Sequence, residues 1–262
     1  MIDMNLSSTK HRYDSLIFAI AALLIWQVVS LFVSNHLIVP SPLAVASEML
    51  VQIQTVTMWQ ACAFTIMRAL TALFFSFLIA LPLSFLATFY PRIFRYTLDR
   101  ISALMQTVPN VCYIIMLLFW TTRNMTVILT GIFLLCPMIY RIFVEQLDVI
   151  IEKWRPIWTL YPQPKGVLML AICIPMLKSA FASALKSASS MAFKVCVTSE
   201  ILTGLANGIG RNIQMARLDL NAAGVLAWSI WLVLLAWGFE KLWNICIRAF
   251  FKGTTNSKNK SK

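Results

Sequence analysis

Apolar residues come in long, nearly uninterrupted blocks along the chain, with polar and basic residues collected between them. Six blocks stand out: residues 15–33 ("SLIFAIAALLIWQVVSLFV"), about 62–89, about 101–121, about 125–143, about 176–202 and about 222–245. A helix needs roughly 20 apolar residues to cross a hydrocarbon core, and the blocks are of that order. Period-two alternation is missing, so helices are expected rather than the strands of a barrel. The pattern predicts an all-α polytopic membrane protein with six transmembrane helices. Residues 1–14 form its N-terminus, 15–250 its membrane domain and 251–262 a polar, basic and disordered tail. The first block is longer than the apolar core of a secretory signal, and the cleavage-like "LAVAS" (43–47) lies too far beyond it, so the block reads as a membrane anchor.

Composition sharpens this picture. Of 262 residues, 60% are hydrophobic and 12% charged, with mean hydropathy +0.77. Soluble domains carry roughly 25% charged residues. The net charge of +12 would suit a nucleic-acid partner, but its distribution argues for a topological role. Lys10 and Arg12 precede the first block. Arg92, Arg95 and Arg100 lie between the second and third, and Arg141, Lys153, Arg155 and Lys165 surround the segment after the fourth. Arg248, Lys252, Lys258, Lys260 and Lys262 follow the last. The alternate connections hold only Arg123, Arg211 and Arg217. The excess of Lys and Arg on cytoplasmic loops then places both termini and the 144–175 segment inside, with membrane lipid as the surroundings and no nucleic acid.

Little catalytic chemistry is legible. Cys62, Cys112, Cys136, Cys173, Cys196 and Cys246 fall in or beside apolar blocks without a C-x-x-C pair, and His11 and His36 are isolated, so no metal site is expected. A polytopic membrane enzyme such as a lipid transferase or phosphatase would need clustered Asp, His or Ser–His groups, and the ten acidic residues are scattered. A secondary transporter commonly shows internal repeats with broken helices in matched halves, and no repeat is visible. These two classes are the alternatives to the reading below.

The fifth block, "MLKSAFASALKSASSMAFKVCVTSEIL", is unlike a lipid-facing helix. At about 100° per residue, Ser179, Ser183, Lys186, Ser187, Ser190 and Lys194 share one face, and Ala180, Ala184, Ala188 and Ala192 form an adjacent ridge. Ser183, Lys186, Ser187, Ser190 and Lys194 are candidates for lining a hydrated translocation path, because intramembrane ionisable groups rarely face lipid. Alternatively, small residues simply permit close helix packing. Two further charges, Arg68 in the second block and Glu200 at the end of the fifth, fall at similar depth. They either form a structural ion pair or sit in separate polar surroundings.

Several stretches together resemble the permease subunits of bacterial ABC importers of the nitrate/sulfonate/taurine (and thiamine-precursor) type. "VPSPLAV" (39–45) looks like the family's V/L-P-S-P segment. "TIMRALTALFFSFLIALPLS" (65–84) resembles its S-x-x-R…P-L-G second span, and "MQTVPNVCYIIMLLFW" (105–120) its third. "IPMLKSAFASALKSASSMAFKVCVTSEIL" with "FEKL" (239–242) adds to the likeness, which covers about residues 38–250. The resemblance implies a type I ABC importer permease-like fold in the bacterial cytoplasmic membrane. It also implies a permease homodimer, two partner ABC ATPases and an extracytoplasmic substrate-binding protein. The solute would be small and polar or anionic: a sulfonate, nitrate or a thiamine-precursor-like molecule. No phosphate-binding G-x-x-x-x-G-K-[ST] sequence appears, so this chain would bind no cofactor and ATP would belong to the partner.

The family's coupling signature, E-A-A-x-x-x-G-x(9)-I-x-L-P, aligns its end with Ile172, Ile174 and Pro175. Pro156 then replaces the Glu, Ile157 and Trp158 the two Ala, and Pro162 the Gly. A short helix from about Pro156 to Tyr161, ended by Pro162 and Pro164, is expected within a coupling loop of about 144–175. Trp158, Leu160 and Tyr161 would dock to the ATPase; an ordinary amphipathic loop lying at the membrane surface is the other reading. Cysteines introduced at Asn256 and Asn207 should label from opposite sides of the membrane, as membrane-impermeant thiol reagents on intact and opened cells will report.

Overall fold

The computed structural model describes residues 3–33 and 38–258, with side chains described from 17 to 245, residues 19 and 244 aside. Every regular element among them is helical. In chain order these are α1 (Asp3–Val33), α2 (Pro42–Ile53), α3 (Val56–Phe89), a π-helical turn (Pro91–Arg95), α4 (Tyr96–Thr107), α5 (Asn110–Trp120) and α6 (Arg123–Leu160). There follow α7 (Lys165–Leu168), a second π-helical turn (Met169–Cys173), α8 (Ile174–Met176), α9 (Lys178–Thr203), α10 (Ile209–Leu218) and α11 (Ala222–Lys258).

Three helices are long and apolar enough to cross a membrane: Val56–Phe89, Arg123–Leu160 and the Ala222–Trp243 part of α11. Two bent pairs, Pro91–Thr107 with Asn110–Trp120 (98°) and Lys165–Met176 with Lys178–Thr203 (59°), raise the number to five if each is one span. The chain is thus all-α with three to five candidate spans among the described residues, against six expected. The first apolar block falls partly outside the residues whose side chains are described. Its described part, Ile20–Val33, is shorter than a full span. The third block is not straight either. Val108 is extended (ψ 127°) ahead of Pro109, as the residue before a proline prefers, and the chain turns sharply there.

The expected loop at 144–175 is largely helix. α6 is a single 38-residue helix carrying Pro137 and Pro156 inside it. Val144, Leu147 and Ile150 are buried, with Trp154 packed against the same core, and Glu145, Glu152 and Arg155 face outward. That i, i+3, i+4 spacing buries one side of the helix, so charged residues at its surface do not end it. The expected separate helix from Pro156 to Tyr161 is accordingly the last turn of α6. Only residues 161–164 leave helical geometry before α7 starts. At the other end of the chain, α11 continues to Lys258, so the disordered tail expected from 251 is helical to that point. Residues 259–262 of that tail lie outside the described residues, as do Met1 and Ile2 of the N-terminal 1–14 segment. Since the last proline is Pro175, none interrupts the helix.

The chain divides into two compact units, Met1–Trp59 with Asn212–Trp231, and Gln60–Arg211 with Leu232–Lys262. In the first, "VPSPLAV" is a helix start. Ser41 Oγ accepts the Ala44 N–H (3.2 Å) as the N-cap of α2, and Pro42 occupies the first turn, where its missing N–H costs nothing. Trp26 Nε1 and Ser30 Oγ donate to the carbonyls of Pro40 and Val39, tying this entry to α1. Asn221 caps α11 through Gly224 N–H (2.8 Å) and donates to Glu48 Oε1 (3.0 Å).

The second unit holds the larger core. Its helices approach closely because α3 and α9 each present a line of small residues. On α3 these are Thr65, Ala69, Ala72, Ser76, Ala80, Ser84 and Ala87, all buried at i+3 and i+4 spacing. On α9 they are Ala180, Ala184, Ala188, Ala192 and Cys196, also buried, with α6 packed against α9 along much of its length. In lipid, helices associate through such close van der Waals packing rather than through hydrophobic burial. Gly131 of α6 marks a point of close approach to α3, where an added Cβ would stand 2.7 Å from Ala72 Cβ. Beyond the small residues, Phe77, Phe143 and Phe181 fill the space with ring centroids 5.0–6.5 Å apart.

Gly131→Ala should lower the unfolding free energy in detergent by about 1–3 kcal/mol, the usual cost of overpacking. Combining it with Ala72→Gly should cost less than the sum of the two single changes. Thermal unfolding of the four chains checks this.

Candidate functional site

Glu200 lies in the last turn of α9 and is fully buried; Arg68 sits thirteen residues into α3 with its side chain 8% exposed. The structure brings the two together, with Arg68 Nη1 2.8 Å from Glu200 Oε1. A buried pair of this kind persists only if the remaining donors and acceptors are also met. Here they largely are. Arg68 Nη1 donates to the Asn207 carbonyl (2.8 Å) and Nε to Asn124 Oδ1 (2.7 Å). Glu200 accepts from the Thr65 hydroxyl (3.0 Å) and from the Gly210 N–H (2.9 Å). Thr65 Oγ1 in turn accepts the Ile209 N–H at 3.0 Å.

Glu200 and Thr65 therefore receive the first N–H groups of α10, which a helix leaves without intrahelical partners. Carboxylates favour that position because the helix dipole is positive there. The chain reaches it through a turn that only glycine allows. Gly204 (φ 60°) ends α9 in the left-handed region, and Gly208 has φ 136°. A Cβ on Gly208 would lie 2.5 Å from Glu200 Oε2, and one on Gly210 2.6 Å from the Val197 carbonyl oxygen.

The α9 stripe has a clear placement. Ser179, Ser183, Lys186, Ser187, Ser190 and Lys194 are exposed, and Thr198 extends the line by another turn, while the alanine ridge beside it is buried. Lys186 Nζ is 3.2 Å from Glu240 Oε1 of α11, so it is paired rather than free. Both parts of the block thus have distinct surroundings: the ridge packs inside, and the polar edge faces away from this chain's core.

The third group, Pro156, Ile157, Trp158, Leu160, Tyr161 and Pro162, lies at the end of α6. Leu160 and Tyr161 are 74% and 71% exposed, and Pro156, Ile157 and Pro162 are exposed as well. Trp158, expected as the main exposed anchor, is instead half-buried. It lies one turn after Trp154, on the inward side of α6. The stretches before and after the segment are each tied to other parts of the second unit. Lys165 Nζ donates to the Phe89 carbonyl (2.7 Å) at the end of α3 and stands 4.1 Å from the Tyr90 ring centroid, a cation where the helix dipole is negative. Arg95 makes two parallel bonds to Asp148 (2.7 and 2.9 Å), and Asp99 accepts from Arg95 Nε and from the Tyr140 hydroxyl.

Residues absent from the sequence-based candidates complete the Arg68 site: Thr65, Asn124, Asn207, Gly208 and Gly210. For Asn207, Gly208 and Gly210 the signal is the N-G-I-G run shortly after an acid in an apolar block, which marks a turn into a helix start; Thr65 and Asn124 carry no such signal. No cluster of His, Cys, Asp and Glu able to hold a metal occurs among the described residues.

Arg68→Ala and Glu200→Ala should each cost about 3–5 kcal/mol, because each leaves a buried charge without its partner. The double variant should lose less than the sum, and unfolding curves for the four chains measure the coupling. Strict additivity would contradict the pair's energetic role.

The chain matches no protein-family model and no curated protein.

Proposed function

We propose that this chain is the permease subunit of an ATP-driven importer of the nitrate/sulfonate/taurine type. In this reading it has a six-span, type I ABC permease-like fold in the bacterial cytoplasmic membrane, with both termini cytoplasmic. It provides the path for a small polar or anionic solute delivered by a binding protein. It performs no chemistry and binds no cofactor; a partner ATPase hydrolyses ATP.

The observation that carries the reading is the exposed polar edge of α9. Seven hydroxyl and ammonium side chains stand outward on a helix whose alanine face is buried. Against lipid such an edge would leave polar groups without partners, which is costly. Facing water, or the same edge of a second copy, it is satisfied. Two copies related by a twofold axis would enclose a hydrated passage lined by Ser183, Lys186, Ser187, Ser190 and Lys194. Charge complementarity with Lys194 favours anionic or polar solutes. The end of α6 supplies the contact to the ATPase. Leu160 and Tyr161 stand out beside the short 161–164 break, a form suited to a groove on a soluble partner.

The test is reconstitution of the chain with an ATPase and a binding protein encoded beside it, followed by uptake of taurine, nitrate and a hydroxymethylpyrimidine. ATP-dependent uptake of one of these is expected. The Leu160→Ala/Tyr161→Ala variant should bind the ATPase about tenfold more weakly, about 1.4 kcal/mol, while its membrane insertion and unfolding midpoint stay unchanged. Uptake that proceeds without any ATPase would overturn the importer reading. Full ATPase retention by the double variant would overturn the assignment of the docking segment alone.

A further inference from the structure

A cavity of about 400 Å³ opens beside the buried pair, lined by Phe64, Met67, Arg68, Thr71, Asn124, Ile128, Leu205, Ala206 and Asn207. Its size is in the range of small-ligand sites. The hydrogen-bonding side of this lining is dominated by donors. Arg68 spends Nε on Asn124 and Nη1 on Glu200 and Asn207. Among the described residues Nη2, with two N–H groups, has no protein partner, although the side chain is more than nine-tenths buried. Asn124, an exposed residue, accepts through Oδ1, which leaves its amide Nδ2 to donate. Thr71 has its hydroxyl proton on the Met67 carbonyl.

The charge balance points the same way. Glu200 neutralises Arg68 from behind and is not part of the cavity wall, which contains no carboxylate. Arg123, which precedes the lining residue Asn124, donates Nη1 to the Gly204 carbonyl (3.2 Å), one residue before Leu205. The lining thus offers N–H donors from the buried Arg68 and the exposed Asn124 beside apolar walls from Phe64, Met67 and Ile128, with the added positive charge of Arg123 next to Asn124 in the chain.

We infer that this cavity binds a small oxyanion, a sulfonate, carboxylate or phosphate ester, with its oxygens on Arg68 Nη2 and the Asn124 amide. Guanidinium N–H groups suit such oxygens geometrically. The apolar walls accept a short carbon chain. The site requires neither an ATPase nor transport, so it stands or falls separately from the importer reading. The oxyanion has two possible sources, a free solute or an anionic lipid headgroup.

The test uses the full chain in nanodiscs and calorimetric titration with methanesulfonate, acetate and inorganic phosphate. In phosphatidylcholine discs, saturable binding of at least one of these is expected. Asn124→Asp keeps the acceptor for Arg68 Nε but replaces the amide donor with a negative charge, and should weaken binding at least about tenfold. Arg123→Gln, next to Asn124 in the chain, should weaken it by about threefold and flatten its salt dependence. In discs containing phosphatidylglycerol, loss of methanesulfonate binding would assign the site to lipid headgroups; unchanged binding would assign it to a free solute. Absence of saturable binding to the parent chain in phosphatidylcholine discs would overturn the inference. So would equal affinity of the parent and both variants, with unfolding midpoints confirming that they are folded.

Discussion

Arg68 and Glu200 constrain the second unit strongly, because both charged side chains are more than nine-tenths buried. Taking such a pair out of solvent costs several kcal/mol per ion, and the loss is offset only when every remaining donor and acceptor is placed well. That requirement fixes several elements at once. α3 must bring Thr65 and Arg68 to the end of α9, α6 must begin where Asn124 can accept, and the chain after α9 must turn back so that α10 offers its N–H groups. The glycines at 204, 208 and 210 follow from this geometry: the first two hold positive φ, and the last two admit the carboxylate and the α9 backbone.

Close approach of the helices is the second condition. α3, α6 and α9 meet through alanine, serine, threonine and glycine, and their large side chains are turned elsewhere. Phe74, Leu78 and Trp237 remain more than half exposed, as befits helices whose outer faces meet hydrocarbon. The same economy gives α9 two opposite characters. Its alanine ridge is invisible from outside, while the serines and lysines of its polar stripe stand exposed on the other edge. Such division within one helix is hard to reconcile with lipid contact all round, and it is the reason for reading the outward edge as a wet or self-paired surface.

Hydrophobic patterning made the long helices, the alanine ridge and the Arg68–Glu200 proximity legible, because each rests on spacing along one element or on the cost of an unpaired intramembrane charge. It failed where tertiary contacts decide. Residues 144–160 carry enough charge to look like a loop, yet Val144, Leu147, Ile150 and Trp154 keep a helical face against the core. The 98° bend at Pro109 was visible only as a proline inside an apolar block. α2 and α10 are too short to announce themselves by periodicity. Asn124 is an ordinary loop-type residue until Arg68 selects it, and nothing in its neighbours reveals that choice. Trp158 was misjudged for the opposite reason: as part of an assumed isolated turn it would face outward, whereas as a continuation of α6 it turns partly inward.

α3 runs between two fixed points. The helix is held near one end by the Arg68 knot and at its other end by Lys165, which grips the Phe89 carbonyl. The two grips are 21 residues apart, about 31 Å at 1.5 Å per residue. A hydrogen-bonded rod of that length transmits a push or a twist with little loss, except where the ladder is interrupted. Pro82 sits inside this stretch and, lacking an N–H, leaves the Leu78 carbonyl without its intrahelical donor. Between the two grips, Pro82 is the point where the backbone ladder of α3 is weakest, and a kink in this helix has its natural place there.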